Sequence, residues 1–266
     1  MIRRGSLYAG GTLVAVLLLA AVGGPFVVHA DPLAVDLAEA LAPPSWQHWL
    51  GCDSLGRDML ARILWGARLS LGLSISVVLL ALITGSLIGG AAAIVGGWID
   101  SLVMRLVDIV LAFPGFLLAL ALAAILGPGL VDLVIALTAM GWTGYARMVR
   151  GELLSLRERE YVEAARSLGA RSERILFRHL LPGVAGPVVV QATFGIGSII
   201  VAEAALSFLG LGVLPPTPSW GNMLDSGRQF LLVAPHLTTA PGAAIGMAVL
   251  GFNLLGDGLA QRIGSL

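Results

Sequence analysis

Ionisable side chains are rare in this sequence, and a few of them fall inside long apolar stretches. Asp108 and Glu203 lie within such stretches, and Asp132 begins another. Charged groups inside a membrane are expensive and indicate a functional contact unless a neighbour neutralises them. Arg105 lies one helical turn before Asp108, and we predict that these two form an ion pair. For Glu203 two roles stay open, a cavity-facing polar site and a hydrogen bond between helices.

The residues that enzymes use for hydrolysis are absent or scattered. A phosphate-binding loop needs a Lys beside the phosphates, and all 16 basic residues of this chain are Arg. The four His stand at 29, 48, 179 and 236, far from any zinc-protease spacing. No Gly-x-Ser-x-Gly elbow occurs, and the single cysteine, Cys52, matches no metal pattern. We therefore predict no catalytic residue, no metal site and no cofactor bound by this chain.

The composition requires a membrane. Hydrophobic residues make up 57% of the chain and charged residues 12%, too apolar a balance for a soluble core of this size. A membrane-spanning helix needs about 20 apolar residues, and the long apolar runs lack the alternation of a barrel strand. The predicted fold is an all-α bundle of six transmembrane helices. They cover residues 7–28, 71–95, 102–126, 131–149, 184–206 and 237–255.

Small residues and prolines predict how these helices pack. Gly85 and Gly89 have the spacing that lets two helices approach closely. Pro114, Pro187 and Pro241 lie in or near spans, where proline kinks a helix.

The arginines predict the orientation. Twelve lie in the loops that share a side with the termini and four in the other loops. Because cytoplasmic loops collect positive charge, both termini are expected in the cytoplasm. The N-terminal run also has features of a cleaved secretory signal, but its length favours a retained span. Two segments, 29–70 and 210–236, then face outward, and residues 59–69 are predicted to form an amphipathic helix at the interface.

The cytoplasmic loop at 150–182 has the clearest local signals. Ser155 and Glu158 have the spacing of a capping box, which predicts a helix start. Gly169 suits the left-handed position that ends a helix, and a second helix is expected over 172–181, ended by Pro182. An apolar face follows at helical spacing, formed by Tyr161, Ala164, Ala165 and Leu168. The pattern fits either a solvated charged loop or a short helix that docks in a partner's groove.

The residues of this loop resemble a motif of a known protein family. Glu163-Ala164-Ala165, then Gly169, then His179-Leu180-Leu181-Pro182 resembles the EAA loop of ATP-binding-cassette importer permeases, with His179 where Ile is usual. In that family the loop is the coupling helix, which docks in a cleft of the ATPase subunit. The resemblance assigns ATPase coupling to Tyr161, Glu163, Ala164, Ala165, Arg166, Leu168, Gly169 and Ala170.

Further motifs narrow the resemblance to one branch. The segments 48–51, 53–58, 206–212 and 253–257 are similar to the second permease of dipeptide, oligopeptide and nickel importers, in which Thr is usual where Cys52 stands. This implies a type I permease domain over 71–260, preceded by an N-terminal helix and an outer segment and followed by a cytoplasmic tail, 261–266.

The resemblance also implies the partners. They are a homologous permease, two ATPase subunits that bind ATP and Mg²⁺, and an extracytoplasmic solute-binding protein, with no nucleic acid involved. The setting would be the cytoplasmic membrane of a bacterium or archaeon. Peptides are the expected cargo and nickel or a nickel chelate the alternative. The rival from another class is an ion-coupled transporter or channel that uses Asp108 and Glu203 as ion sites.

Overall fold

The computed structural model describes residues 2–28 and 30–263, so His29 and the last three residues of the predicted tail lie outside the described residues. The described chain is helical and contains no β-strand, only a single bridge between Cys52 and Asp58. The helices are α1 Ile2–Val27, α2 Met59–Val95, α3 Gly97–Ala112, α4 Gly115–Leu126, α5 Leu130–Arg157, α6 Glu160–Ser167, α7 Ser172–Ile175, α8 Leu181–Phe208, α9 Trp220–Gly227 and α10 His236–Ile263.

Four stretches of helix within the described residues are long and apolar enough to cross a membrane. They are Gly5–Gly24, Met59–Val95, Glu173–Phe208 and His236–Ile263. The pair α3 and α4 adds a fifth if it is counted as one broken span. The α5 helix has 28 residues, enough to cross, but it carries several charged side chains. An all-helical membrane bundle is therefore confirmed, while the sixth span stays a prediction.

The predicted third span is wrong in one respect, because it is not one continuous helix. It breaks at Phe113 and Pro114, and the axes of α3 and α4 differ by 88°. Phe113 is extended, at φ −83° and ψ 140°, as a residue before proline prefers to be. Asp100 of α3 accepts two hydrogen bonds of 2.5 Å from the guanidinium of Arg150, which clamps α3 to α5.

The predicted interfacial helix at 59–69 is also wrong as a separate element. These residues begin α2, which runs without interruption for 37 residues. Asp58 caps its start by accepting a hydrogen bond of 2.8 Å from the backbone N–H of Ala61. A capped start and an unbroken apolar run behind it favour one long helix over two short ones.

Close packing of α2 against α5 forms the centre of the bundle. The Gly85 and Gly89 positions lie so near the backbone of Trp142 and Ala146 that an added Cβ would overlap it. The predicted small-residue contact is confirmed, and α5 is the partner helix. Elsewhere α1 packs on α10 around a core that includes Val14, Leu17 and Phe252, which ties the N-terminal helix to the last one.

Candidate functional site

Helix α6, in the loop at 150–182, ends as its sequence predicts. Gly169 has φ +79°, in the left-handed region where a side chain is strained. The N–H of Ala170 donates to the carbonyl of Ala165 at 3.0 Å, and the N–H of Gly169 to that of Arg166 at 3.0 Å. These two bonds form a Schellman motif, which satisfies carbonyls that a helix end would otherwise leave free.

The predicted start of this helix is wrong. Ser155 lies inside α5, which continues to Arg157, so Ser155 and Glu158 form no capping box. Helix α6 begins at Glu160 after Arg159, and no side chain caps it. Packing of the last turn of α5 overrides the local signal: the Arg157 guanidinium donates to the carbonyl of Ala93 at the end of α2 at 2.7 Å.

One residue anchors α6 to the bundle. Val162 is fully buried in a cluster with Leu153, Ile175 and Leu180, which joins α5, α6 and the helix that follows. The rings of Tyr161 and His179 approach with centroids 6.0 Å apart. The His that departs from the family pattern therefore contacts α6 itself.

The opposite side of α6 is uncovered. We call Tyr161, Ala164 and Leu168 the open face: they stand at helical spacing and all three are exposed, Leu168 at 89%. Glu163 and Arg166 are also exposed, while the side chains of Ala165 and Ala170 are half-buried. The predicted apolar face is thus present, but its most accessible residues are Leu168 and Ala164 rather than Ala165.

Pro182 does not end the second helix, contrary to prediction. A π-helical turn at Leu176–Leu180 joins α7 to α8, and the N–H of Leu181 donates to the carbonyl of Leu176. Pro182 then falls in the first turn of α8, where the missing N–H does no harm. The loop at 150–182 therefore passes directly into the long apolar helical stretch Glu173–Phe208.

Asp108 pairs with a different arginine from the one predicted. Its carboxylate is bonded to the guanidinium of Arg147 on α5, not to Arg105. The local spacing of Arg105 was misleading because the partner comes from a helix 39 positions away. Both side chains of the pair are more than half exposed.

Glu203 lies in a closed hydrogen-bonded cluster. Its side chain is fully buried and accepts hydrogen bonds from the hydroxyls of Ser207 at 2.9 Å and Ser70 at 3.1 Å. The hydroxyl of Ser70 also accepts a hydrogen bond of 3.3 Å from the backbone N–H of Trp220, the first residue of α9. The cluster thus ties α8, α2 and α9 together. This arrangement matches the helix-to-helix role that the sequence left open.

The motif around Asp53, to which the family resemblance assigns no role, forms a compact turn. The Asp53 carboxylate accepts from the side chain of Arg57 at 2.7 Å and lies 3.4 Å from that of Arg62. The other carboxylate oxygen of Asp53, Oδ1, accepts hydrogen bonds from the backbone N–H groups of Leu55 and Arg57. A Cβ at Gly56 would overlap the carbonyl of Asp36, so only glycine fits there. Arg62 is 3% exposed and donates to the carbonyl of Pro32.

Cys52 lies at the centre of this turn. Burial, reinforced by the nearby carboxylates of Asp58, Glu39, Asp53 and Asp36, raises the pKa of its thiol to about 11. The side chain is fully buried, and its carbonyl lies 3.3 Å from Nε2 of His236. Cys52 therefore has a structural place, and the described residues bring no group of metal ligands together around it or elsewhere.

The comparisons with known proteins agree with this architecture. Residues 81–265 match the family described as the binding-protein-dependent transport system inner membrane component. This chain belongs to that family. It is a multi-pass inner-membrane permease component, a transport subunit and not an enzyme.

Relatives and solved structures show where in the family the chain lies. It is 44% identical over 254 residues, 96% of this chain and 84% of the relative, to a dipeptide transport system permease protein of Alkalihalophilus pseudofirmus. It is 47% identical over 220 residues, 83% of this chain and 73% of the relative, to a glutathione transport system permease protein of Pectobacterium atrosepticum. An inward-facing structure of the MetNI methionine ABC transporter shares the fold, with a TM-score of 0.59 at 18% identity over 77% of this chain and 97% of that one.

Proposed function

We propose that this chain is the six-span permease subunit of an ATP-driven importer and that α6 is its coupling helix. The open face of α6 carries the proposal. An exposed apolar patch on a short helix with a well-defined C-terminal end is a typical docking surface for a partner's groove. Tyr161 and Leu168 supply the apolar contact, and Glu163 and Arg166 supply charges at its edge.

The way α6 is held supports a mechanical role. The Schellman motif fixes the C-terminal end of α6, and the buried Val162 packs it on the bundle. The bond from Arg157 to Ala93 holds the end of α5, three residues before α6, against α2. A partner that moves α6 must therefore also move α5 and the helix leading into α8. Nucleotide binding on two ATPase subunits would in this way shift the bundle between inward-facing and outward-facing states.

The proposed cargo is a di- or oligopeptide. The names of the relatives, dipeptide and glutathione permeases, support small peptides over nickel, which stays the alternative within the family. The proposed assembly contains a homologous permease, two ATPase subunits that carry ATP and Mg²⁺, and an extracytoplasmic solute-binding protein. Both termini and α6 face the cytoplasm, as the distribution of arginines predicts.

The rival function, an ion-coupled transporter, would use Asp108 and Glu203 as ion sites, and the contacts of Glu203 argue against the second of these. Glu203 is enclosed by hydroxyl groups and is fully buried, which suits a helix contact better than an ion that must enter and leave. Co-purification of an ATPase subunit separates the two functions directly.

The deciding experiment places a charge on the open face. Leu168→Asp should reduce co-purified ATPase and peptide transport at least tenfold, because an unpaired buried charge costs on the order of several kcal/mol. Leu232→Asp is the matched control, since Leu232 is 97% exposed but lies in the outer segment between α9 and α10. Leu168→Met should behave as wild type. Unchanged ATPase binding by Leu168→Asp would contradict the coupling role of α6.

A further inference from the structure

One ion pair lies on the surface of α3 and α5, which we propose as parts of two membrane spans. Asp108 of α3 and Arg147 of α5 are bonded to each other, and their side chains are 64% and 52% exposed. Arg147 lies ten residues before Arg157, the end of α5, which is about 15 Å along the helix. The pair is thus well inside α5 rather than at its cytoplasmic end.

The pair is not needed to hold the two helices together. Asp100 and Arg150 already clamp α3 to α5 through two bonds of 2.5 Å, with side chains that are only 16% and 30% exposed. The exposed pair lies beside this clamp and adds a second contact between the same helices. Its exposure therefore needs a reason other than helix packing.

The surroundings of Arg147 are open. Gly144 and Gly151 lie one turn to either side of it on α5, and a Cβ at either position would meet no atom of the chain within 4 Å. Ionised groups that face lipid are costly, and in membrane proteins they face water-filled cavities or other protein. The exposed residues Leu79, Ile83 and Leu87 of α2 differ from the surroundings of Arg147, because they form one apolar stripe without charge.

We propose that Asp108 and Arg147 form a contact site for zwitterionic peptide on the wall of the translocation path. The guanidinium of Arg147 is suited to the peptide's carboxylate, which it can bind in a bidentate way. The carboxylate of Asp108 is suited to the peptide's ammonium group. The two partners neutralise each other between transport cycles, so the site is not left with an unpaired charge. This proposal rests on the proposed import function.

The first test measures whether water reaches the pair. Arg147→Cys and Leu79→Cys place thiols at positions of nearly equal exposure, 52% and 51%. The complete complex in nanodiscs is treated with a charged, lipid-insoluble methanethiosulfonate. Arg147→Cys should react at least tenfold faster than Leu79→Cys. Equal slow rates would overturn the proposal, as would a thiol that reacts in the isolated chain but is protected in the complex, because that result makes the position an interface with the partner permease.

The second test separates cargo contact from structure. Asp108→Asn and Arg147→Gln should each lower uptake of radiolabelled dialanine about tenfold in proteoliposomes, with wild-type ATPase co-purification. The exchanged pair, Asp108→Arg with Arg147→Asp, should stay low because it presents the charges in reverse order to the peptide. Full recovery in the exchanged pair would assign a structural role and overturn the proposal, as would wild-type uptake by the single variants. Asp225→Asn, at an exposed outer pair, is the control.

Transport of dialanine by the wild-type complex distinguishes a failure of the contact site from a failure of the proposed peptide import. If the wild type fails to transport dialanine, the proposed cargo is wrong. If it transports dialanine and the pair variants also do, only the contact site is wrong.

Discussion

The turn around Asp53, which we propose to be outer, and the loop around α6, which we propose to be cytoplasmic, use their polar residues in opposite ways. In the outer turn, charged side chains point inward and bind backbone and one another, so that Arg57 and Arg62 are almost fully buried. In the cytoplasmic loop the charged residues of α6 are exposed, and a single apolar residue, Val162, is buried. A conspicuous motif can thus stabilise the chain's own fold in one loop and form an exposed surface for a partner in another.

Breaking the outer turn should have the largest effect. Asp53→Leu leaves the buried Arg62 without its carboxylate, and removing one partner of a buried ion pair costs about 3–5 kcal/mol. We expect a large loss of thermal stability, measured on the purified chain in detergent. The amount of the variant in the membrane should also fall. Asp225→Asn removes the charge from a pair whose side chains are 35% and 55% exposed, and it should change stability by less than about 1 kcal/mol. Similar losses of thermal stability in both variants would contradict the expected difference between a buried and a partly exposed ion pair.

A strained end of α6 should affect function more than folding. Gly169→Val places a β-branched side chain at φ +79°, with a local cost of about 1–3 kcal/mol. The Schellman end then unwinds, and ATPase co-purification and transport fall while the amount of protein in the membrane stays normal. Gly169→Asn is the control, because Asn tolerates this conformation. Transport by the Val variant at the wild-type rate would show that the angle of α6 is unimportant.

Labelling the two regions sharpens the comparison without disturbing either fold. Leu168→Cys and Leu232→Cys put thiols at highly exposed positions, 89% and 97%, in the cytoplasmic and outer loops. In intact spheroplasts without the ATPase subunits, an impermeant maleimide should label Leu232→Cys at once and Leu168→Cys only after lysis. The reverse order would overturn the proposed orientation.

The smallest effect is expected at Cys52. A thiol with a pKa of about 11 in place of 9.0 carries about a hundredfold less thiolate at neutral pH, so the wild-type chain should resist maleimide. Because burial raises the folded-state pKa, ionisation of the unfolded chain destabilises the outer turn as pH rises from 9 towards 11. Cys52→Ala should remove this pH dependence in a thermal melt. Rapid labelling of the native chain at pH 7 would show that the turn opens.

Local signals in the sequence predicted some elements well and others poorly, for a physical reason. Gly169 was predictable because its requirement is local: one residue must have positive φ. The apolar runs and the contact at Gly85 and Gly89 follow from burial and size alone. Asp108 was assigned to Arg105 because only a neighbour in sequence is visible without the tertiary arrangement of α3 and α5.

The failed predictions share the same cause. The Ser155 and Glu158 pattern is a sound start signal that packing of α5 overrides, and Pro182 became compatible with a helix once a π-turn preceded it. The break before Pro114 was signalled by its sequence, but the 88° angle depends on how α3 rests on α5. Asp53 and Glu203 each have one partner four positions away, Arg57 and Ser207, which helical spacing could have suggested. Their other partners, Arg62 and Ser70, depend on the tertiary arrangement.

The uninterrupted length of α2 has a mechanical consequence. Its 37 residues make a rod of about 55 Å, nearly twice the thickness of the hydrocarbon layer. The Asp58 cap marks the proposed outer end, and the other end receives the guanidinium of Arg157 just before α6. A tilt of about 10° around the Arg157 end would swing the Asp58 end by roughly 10 Å. In the proposed orientation and assembly, a small rotation applied on the ATPase side would therefore become a displacement of roughly 10 Å on the external side.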